Sequence, residues 1–387
     1  MDGVVSLEAP FIPFAKPSIS QLEIDAVTEC MRSGWLTSGV QVKQFEREFA
    51  AFVGSDHAVA VSSATIGALL IFEALNLRPG DEIVVPAWTF SGPAMMAHKL
   101  GARVVLCDVD ADTLNMTPDA LKRVITARTR FVMPTHFAGR SCNMPALARI
   151  ASSQGLWLVD DAAHALPTRD RNGRFVGAQG AHATFFSFYA TKTLTTGDGG
   201  MVTTDNPRLA DRLRQFRLHG VSQDVADRYT NPKTGWHYDI VVGGWKANMT
   251  DMAAAMGLAQ LHRQHVLLRA RQDIATYYRD RLQGLGNSLE LPESVVGHSW
   301  HLYPIRLTGP VLAETFIPRM ASHGVQCSVH FIPLNRHSFW AEHASDPTLC
   351  PEATRMHGRV VSLPIYPGMT AAQLDQVISA VRASVEG

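Results

Sequence analysis

The chain has 387 residues, 46% of them hydrophobic, and its basic residues (Lys and Arg) and acidic residues are equal in number, at 35 each. This length and composition allow a large hydrophobic core and predict one large domain followed by a smaller one. The balanced charge gives no indication of a nucleic-acid or anionic-membrane partner, so small-molecule partners are favoured.

The cysteines and the N-terminal segment bear on the cellular compartment. Five cysteines are far apart and in no CxxC or metal-like spacing, which predicts reduced thiols. No basic segment followed by a long apolar one opens the chain, and no apolar run approaches the roughly 18 residues that span a bilayer. We therefore expect a cytoplasmic protein without disulfides.

From about residue 55 to 205, short apolar runs alternate with amphipathic stretches. Turn residues bound these runs, which predicts buried strands at 59–62, 82–86, 103–107, 131–134 and 156–159. Helical periodicity between them predicts an α/β fold, with a mainly parallel sheet and helices on both faces. Ligands of such sheets bind beyond the carboxyl ends of the strands, where Asp160 and Asp161 lie.

The rest of the chain predicts the change of domain. Strands are predicted at 185–188 and 201–204, and the spacing between them allows a hairpin-like return. One long helix is predicted at 251–268, and we place the domain connection at its end. The N-terminal segment and large domain then span 1–268, and a smaller α+β domain spans 269–387. In the smaller domain we predict strands at 300–307, 325–331 and 360–363, and helices at 311–323 and 371–385.

Lys192 and Asp161 are the candidate catalytic residues. Lys192 follows an apolar, aromatic run, and a nucleophilic lysine needs such a partly desolvated site. A buried carboxylate at Asp161 would keep the ring nitrogen of pyridoxal phosphate protonated, as its use as an electron sink requires. Taken alone, Lys192 would be a surface lysine and Asp161 a helix cap. Their combination predicts a pyridoxal-phosphate site.

Two other segments fit the same cofactor. Small hydroxyl residues at 62–65 lie between a strand and a helix, where backbone N–H groups and the helix dipole favour a phosphate. A plain N-cap is the commoner role for such residues. Phe90 is a candidate to lie flat on a planar cofactor, with core packing as the alternative, and Trp88 is predicted to be a core residue.

Several motifs in order resemble those of the DegT/DnrJ/EryC1/StrS group, from about residue 12 to 385. Members of that group are fold-type I pyridoxal-phosphate aminotransferases that act mainly on nucleotide-linked keto-sugars. The matching segments are 33–39, 61–65, 80–86, 161–164, 187–192, 199–200, 245–249 and 330–331.

The resemblance implies roles for individual residues. Lys192 matches the lysine that forms a Schiff base with the cofactor, and Asp161 matches the partner of the pyridine nitrogen. The cofactor-binding residues that the resemblance implies are Thr65, Ile66 (through its backbone), Phe90, His164, Ser187 and Asn248. Asn248 matches a residue that reaches the cofactor phosphate of the neighbouring subunit, which implies a homodimer with shared sites. The implied substrate-binding residues are His330, Tyr189 and Trp35.

The resemblance also implies the reaction. We expect transfer of an amino group from L-glutamate to a keto-sugar, with pyridoxal 5′-phosphate as cofactor and no metal. His164 stands where many relatives have Gln and looks most like the branch that makes 4-amino-4-deoxy-arabinose on a UDP carrier, so a nucleotide-linked 4-keto sugar is expected. Asn335 replaces a His that is common in relatives, near the substrate mouth.

Other readings of the sequence stay open. They are a cyclitol or other keto-sugar pathway, a pyridoxamine-dependent sugar dehydratase, and a non-enzymatic sensor on the same scaffold. The dehydratase branch has His at the position of Lys192, which argues against it. Loops such as 221–236 are expected to decide the sugar, and His136, His219 and His301 are predicted to be structural or to lie at the substrate rim.

Overall fold

The computed structural model describes residues 11–222 and 237–386. A seven-stranded sheet forms its centre, in the order β1-β7-β6-β5-β4-β2-β3. The strands are β1 (His57–Val61), β2 (Glu82–Pro86), β3 (Arg103–Cys107), β4 (Thr129–Val132), β5 (Trp157–Asp161), β6 (Ala183–Ser187) and β7 (Gly200–Thr204). Strand β7 is antiparallel to both of its neighbours, and the other pairings are parallel.

Helices cover both faces of this sheet. They are α1 (Gln21–Arg32), α2 (Val40–Val53), α3 (Ala64–Ala74), α4 (Ser91–Lys99), α5 (Pro118–Val124), α6 (Met144–Ser153), α7 (Pro207–Phe216) and α8 (Asp251–His262). Successive side chains of a strand point to opposite faces: Val59 and Val61 belong to one hydrophobic core, while Ala58 and Ala60 belong to another. The predicted α/β fold with a mainly parallel central sheet is confirmed.

A smaller antiparallel sheet lies in the C-terminal part, with strands β8 (Leu289–Glu290), β9 (Tyr303–Leu307) and β10 (Val360–Leu363) in the order β10-β9-β8. The helices of this part are α9 (Gln264–Leu282), α10 (Ala313–Ser322), α11 (Ser338–His343), α12 (Pro351–Met356) and α13 (Ala371–Glu386). Ile12, from the N-terminal segment, belongs to the hydrophobic core of this part. Its backbone N–H donates to Gly324 O at 2.8 Å.

The prediction of one helix over 251–268 is wrong. Helix α8 ends at His262, and Arg263 leaves the helical conformation with φ −98° and ψ 1° before α9 begins. The side chain of Arg263 forms an ion pair with Glu23, which is buried at the start of α1. Hydrophobic periodicity continues on both sides of the break, so the sequence pattern alone does not reveal it.

The prediction of a strand over 325–331 is also wrong. Only isolated bridges occur there, at Val325 with Ile12 and at Ser328 with Ser362. Near the end of this segment the backbone instead bonds to the part of the chain that carries the seven-stranded sheet, because the indole Nε1 of Trp88 donates to His330 O at 2.9 Å. The backbone of this segment therefore bonds to Ile12, Ser362 and Trp88 instead of pairing along a regular strand.

The structure also bears on the start of β9, on the cysteines and on the helix lengths. The predicted strand at 300–307 begins only at Tyr303, since Trp300 has a φ of +52°, outside the extended region. All five cysteines are buried free thiols. No helix in the described ranges has both the length and the apolar character that crossing a membrane requires. Most of the loop at 221–236, namely 223–236, lies outside the described residues.

Candidate active site

Several of the candidate residues gather at one edge of the seven-stranded sheet. Strands β1, β2, β5 and β6 run in the same direction, so their carboxyl ends meet there. Thr65 and Phe90 follow β1 and β2, Asp161 ends β5, and Ser187 ends β6. Lys192 lies in the return from β6 to β7.

Burial tunes the amine of Lys192. Its backbone N–H donates to Tyr189 O at 2.9 Å, within a turn that follows the buried Phe188. Loss of solvation lowers the pKa of Lys192 to about 8, although the negative charge of Asp161 acts in the opposite direction. The amine is therefore neutral, and able to act as a nucleophile or base, over a much lower pH range than a surface lysine.

Asp161 offers a buried oxygen to a cation. The residue is 2% exposed, and its Oδ1 accepts a hydrogen bond from Ala163 N at 2.9 Å. Burial raises its pKa to about 6, while that hydrogen bond and the charge of Lys192 lower it. Among the described residues, Oδ2 accepts no hydrogen bond. A protonated ring nitrogen is the kind of partner that stabilises such a carboxylate, so the residues present fit pyridoxal phosphate.

Asp160 has a different environment from its neighbour. Its carboxylate is fully buried and lies 3.5 Å from Nε2 of His136, which is also fully buried. Adjacent residues of a strand point to opposite faces, so only one of the two aspartates can face the site. Asp160 therefore pairs with His136 inside the fold, and Asp161 is the aspartate that can face the site.

The turn before α3 packs tightly against β7. A side-chain carbon on Gly200 would lie 2.7 Å from both Ala64 N and Ser63 C, so only glycine allows this approach. Gly200 is the register partner of Ser187, so the turn and Ser187 share one corner. Ser63 caps α3, because its Oγ accepts the N–H of Ile66 at 3.2 Å. Among the described residues, the hydroxyl of Thr65 makes no hydrogen bond.

Phe90 presents an exposed ring beside Thr65. It is 58% exposed and precedes α4. A side-chain carbon on Gly92 would lie 2.8 Å from Thr65 Oγ1 and 2.9 Å from Phe90 Cε1, so the missing side chain leaves room for both. An accessible aromatic ring suits contact with a planar ligand. Trp88 is buried, as predicted.

His164 is held as a neutral ring. Ala138 N donates to its Nδ1 at 3.4 Å, and the ring of Phe331 stacks on it with centroids 5.4 Å apart. Burial, together with the positive charge of Lys192, keeps the pKa of His164 well below its usual value. Because Nδ1 accepts a hydrogen bond, the ring proton is on Nε2.

Two of the expected substrate-binding residues flank this centre. Nδ1 of His330 lies 3.1 Å from Ser362 Oγ, and burial lowers the pKa of His330 to about 4. Tyr189 is exposed, two residues beyond β6. Asn335, in contrast, is buried and donates to Thr354 Oγ1 at 2.8 Å.

Asn248 and Trp35 are linked through Ser38. Nδ2 of Asn248 donates to Ser38 Oγ at 2.6 Å, and the indole Nε1 of Trp35 donates to Ser38 O at 3.2 Å. Asn248 also forms an isolated bridge with Val61, at the end of β1. Trp35 and Asn248 therefore lie together at the side of the site next to the turn before α3.

Two residues of the site were not predicted to take part in it. Phe331 had no predicted role, and His301 was predicted to be structural or to lie at the rim of the substrate site. Phe331 packs between Phe90, at 6.0 Å, and His164. The ring of His301 lies 4.5 Å from the ring of His164. Neither contact has a local sequence signal, because the partners are more than a hundred residues apart in the chain.

Comparisons with known proteins agree with this geometry. Residues 17–382 match the model of the DegT/DnrJ/EryC1/StrS aminotransferase family. The spore coat polysaccharide biosynthesis protein SpsC of Bacillus subtilis is 40% identical over 383 residues, which is 97% of this chain and 98% of the relative.

Solved structures are also similar. The PLP-form of Spr1654 from Streptococcus pneumoniae has a TM-score of 0.89 and 30% identity, with 97% of this chain and 99% of that chain covered. The sugar aminotransferase CalS13 from Micromonospora echinospora has a TM-score of 0.84 and 28% identity, with 96% and 99% covered. The chain therefore belongs to the DegT/DnrJ/EryC1/StrS aminotransferase family and is a pyridoxal-phosphate-dependent sugar aminotransferase.

Proposed function

We propose that this enzyme moves an amino group from L-glutamate to a nucleotide-linked 4-keto sugar and releases the amino-sugar. We place it in the cytoplasm, as a homodimer with shared active sites. The observation that carries the proposal is the pairing of the partly buried Lys192 with the buried Asp161, in which a lysine with a lowered pKa lies within electrostatic reach of a carboxylate with an open oxygen.

Lys192 is the residue that moves protons. Pyridoxal phosphate, when bound, supplies an electron sink that stabilises negative charge on the carbon next to the amine. With a pKa of about 8, Nζ of Lys192 can accept the proton from the donor's α-carbon and give it back one step later. The same exchange in reverse serves the keto-sugar.

The other residues hold and orient. Asp161 keeps the ring nitrogen protonated through its open Oδ2. We assign the phosphate to Thr65, the backbone of Ile66 and Ser187, which share the corner next to Gly200. We also propose that Phe90 contacts the cofactor ring and that His164 lies beside the cofactor's phenolic oxygen. The proposed substrate contacts are His330, Tyr189 and Trp35.

Exposed apolar side chains support a second subunit, and two of them, Leu36 and Val40, lie two residues on either side of Ser38, which bonds to Asn248. Val40 is 69% exposed, and Leu36, Ile240 and Val241 are also exposed. Clustered apolar side chains on a surface commonly mark a protein interface. A partner that covers them would lie next to Asn248, as the proposed phosphate contact between subunits requires.

The assignment of Lys192 can be tested with purified holoenzyme. Glutamate is expected to bleach the cofactor's absorbance, and Lys192→Ala is expected to lose turnover by at least about a thousandfold, because both the covalent link and the proton carrier are removed. Lys99→Ala, which changes an exposed lysine on α4, is the matched control and should behave as wild type. Bleaching at the wild-type rate in Lys192→Ala would contradict the proposal.

The substrate can be tested on the aminated form of the cofactor. Nucleotide-linked 4-keto sugars, 3-keto sugars and keto-cyclitols are added separately, and return of the aldehyde absorbance is followed. We expect the fastest return with a nucleotide-linked 4-keto sugar. A faster return with a free keto-cyclitol would reassign the substrate, and no spectral response to any amino donor would favour the sensor.

A further inference from the structure

Three histidines lie within electrostatic reach of Lys192. They are His164, His301 and His330, and burial lowers the pKa of each, with the positive charge of Lys192 as a further cause. All three rings are therefore neutral at physiological pH. Of the three, His301 has no role in the proposed reaction.

Three other rings pack against the ring of His164, and Phe137 is the most distant of them, at 6.1 Å between centroids. Phe331 stacks on His164 with an interplanar angle of 24°, and His301 approaches with ring centroids 4.5 Å apart and an angle of 52°. Ala138 N fixes Nδ1 as the acceptor, so Nε2 carries the proton. The orientation of this donor depends on the groups that pack against the ring.

The segment that carries His301 is built onto His164. Ser299 Oγ donates to His164 O at 3.3 Å, and Leu302 N donates to Ala138 O at 3.3 Å. Both contacting segments contain a non-glycine residue with a left-handed backbone, Ala138 with φ +58° and Trp300 with φ +52°. Such conformations cost free energy and persist where the surrounding structure requires them, which is often at functional sites.

His301 has a fixed backbone and an unpaired ring nitrogen. Its carbonyl accepts a hydrogen bond at 3.2 Å from Nη1 of the buried Arg271. His301 is 5% exposed, and its ring Nδ1 has no hydrogen-bond partner among the described residues. A buried polar atom without a partner is unfavourable, and few positions keep one without a functional reason.

We propose that His301 is a positioning residue that holds the neutral ring of His164 so that its Nε2–H can donate to the phenolic oxygen of the cofactor. This inference rests on the proposed function, which places His164 beside that oxygen. The titratable groups that face the rings of His164 and His301 are Lys192, His330 and Arg271. None of them carries a negative charge, so none favours the protonated form of either histidine.

The test measures the pH midpoint of the holoenzyme's cofactor absorbance. A donor at the phenolic oxygen draws off negative charge that would otherwise stabilise the proton on the nitrogen joining Lys192 to the cofactor. We expect His301→Phe, which keeps a ring without its nitrogens, to misorient that donor and to raise the midpoint by up to about one pH unit. His164→Phe should raise it at least as much.

A double variant separates positioning from direct action. If His301 acts through His164, His164→Phe/His301→Phe should show the shift of His164→Phe and no more, whereas independent effects would add. His182→Phe is the matched control, since His182 lies just before the amino end of β6, away from the site, and its midpoint should equal that of wild type. His301→Asn removes the ring contact with a smaller side chain and should shift the midpoint in the same direction, should the Phe variant fold poorly.

Three outcomes would overturn the proposal. They are an unchanged midpoint in both His301 variants, additive shifts in the double variant, or a shift of equal size in His182→Phe. Failure of the proposed function is recognised separately, from glutamate-dependent bleaching and the substrate panel, because neither measurement depends on His301. If His164→Phe shifts the midpoint and the His301 variants do not, only the present inference fails.

Discussion

The amine of Lys192 and the carboxylate of Asp161 modify each other's protonation. Burial lowers the pKa of the amine, and the carboxylate partly reverses this effect. Burial raises the pKa of the carboxyl, and the amine partly reverses that as well. At neutral pH the pair therefore offers a carboxylate that is still mostly ionised and an amine with a substantial neutral fraction.

The pH dependence of cofactor loading follows from this pair. Only the neutral amine attacks the aldehyde, so the rate at which apoprotein takes up pyridoxal phosphate should rise with pH and level off above about 8, where Lys192 is deprotonated. An unshifted lysine would give a rate that still rises above pH 10. The appearance of bound-cofactor absorbance after mixing measures the rate.

Asp161→Asn tests whether the carboxylate raises the pKa of Lys192, through the pH dependence of cofactor loading. The carboxylate raises the pKa of Lys192, so its removal should lower the midpoint of loading below that of the wild type. The variant should also lose about ten- to a hundredfold in turnover, because the ring nitrogen loses a charged partner. A midpoint that moved upward would contradict the electrostatic coupling.

At the scale of elements, the turn before α3 packs against β7 with no room for a side chain on Gly200. A methyl group on Gly200 would meet backbone atoms of Ser63 and Ala64, which cannot move aside as a flexible side chain could. We expect Gly200→Ala to lower the free energy of unfolding by about 1–3 kcal/mol, as overpacking does, and to weaken cofactor binding.

Gly284→Ala is the control for that substitution. Gly284 follows α9, and a side-chain carbon there would meet nothing within 4 Å. Urea unfolding of both apoproteins measures stability, and cofactor titration measures affinity. Equal stability and affinity in the two variants would show that the corner has more room than the structure indicates.

The elements differ in how far sequence could predict them. Strands β2 and β3 match the predicted residues, because each is a short apolar run between turn residues. The break at Arg263 and the loop around His330 could not be predicted, since Glu23 and Trp88, which bond to them, are more than two hundred residues away. Local pattern carries strand and helix signals, and it carries no signal for such distant partners.

The candidate site shows the same division. The sequence could predict that Asp161 and the turn before α3 lie at one edge of the sheet, because each directly follows or ends a strand. The packing of His164 against Phe331 and His301 was not predicted, because the C-terminal part contributes both partners. The assignment of individual residues to phosphate and substrate stays a prediction.

At the scale of the whole molecule, the proposed shared site predicts complementation between inactive subunits. In a mixed dimer of Lys192→Ala and Asn248→Ala chains, one site would combine both defects and the other would have an intact Lys192 and an intact Asn248. Random mixing should therefore restore about a quarter of wild-type activity, since half of the dimers are mixed and each has one good site.

The measurement is the activity of the two variants after co-refolding, compared with each variant alone. Mixed Lys192→Ala and Asp161→Asn chains are the control: both residues belong to one chain's site, so neither site of a mixed dimer is intact, and the activity should not exceed the residual activity of the Asp161→Asn chain. If Asn248 instead serves its own chain, as its bridge to Val61 also permits, no activity above the sum of the single variants will appear.

The loop that joins the C-terminal part to β2 limits how far the protein can be divided. His330 O and Leu334 N bond to Trp88 and Ala87, so one wall of the pocket is supplied from the far end of the gene. A fragment ending at residue 268 would keep Lys192 and Asp161 and lose Phe331, His301 and His330. Expressed alone, such a fragment would not be a minimal catalyst, and any transplant of sugar specificity between relatives would have to carry both walls together.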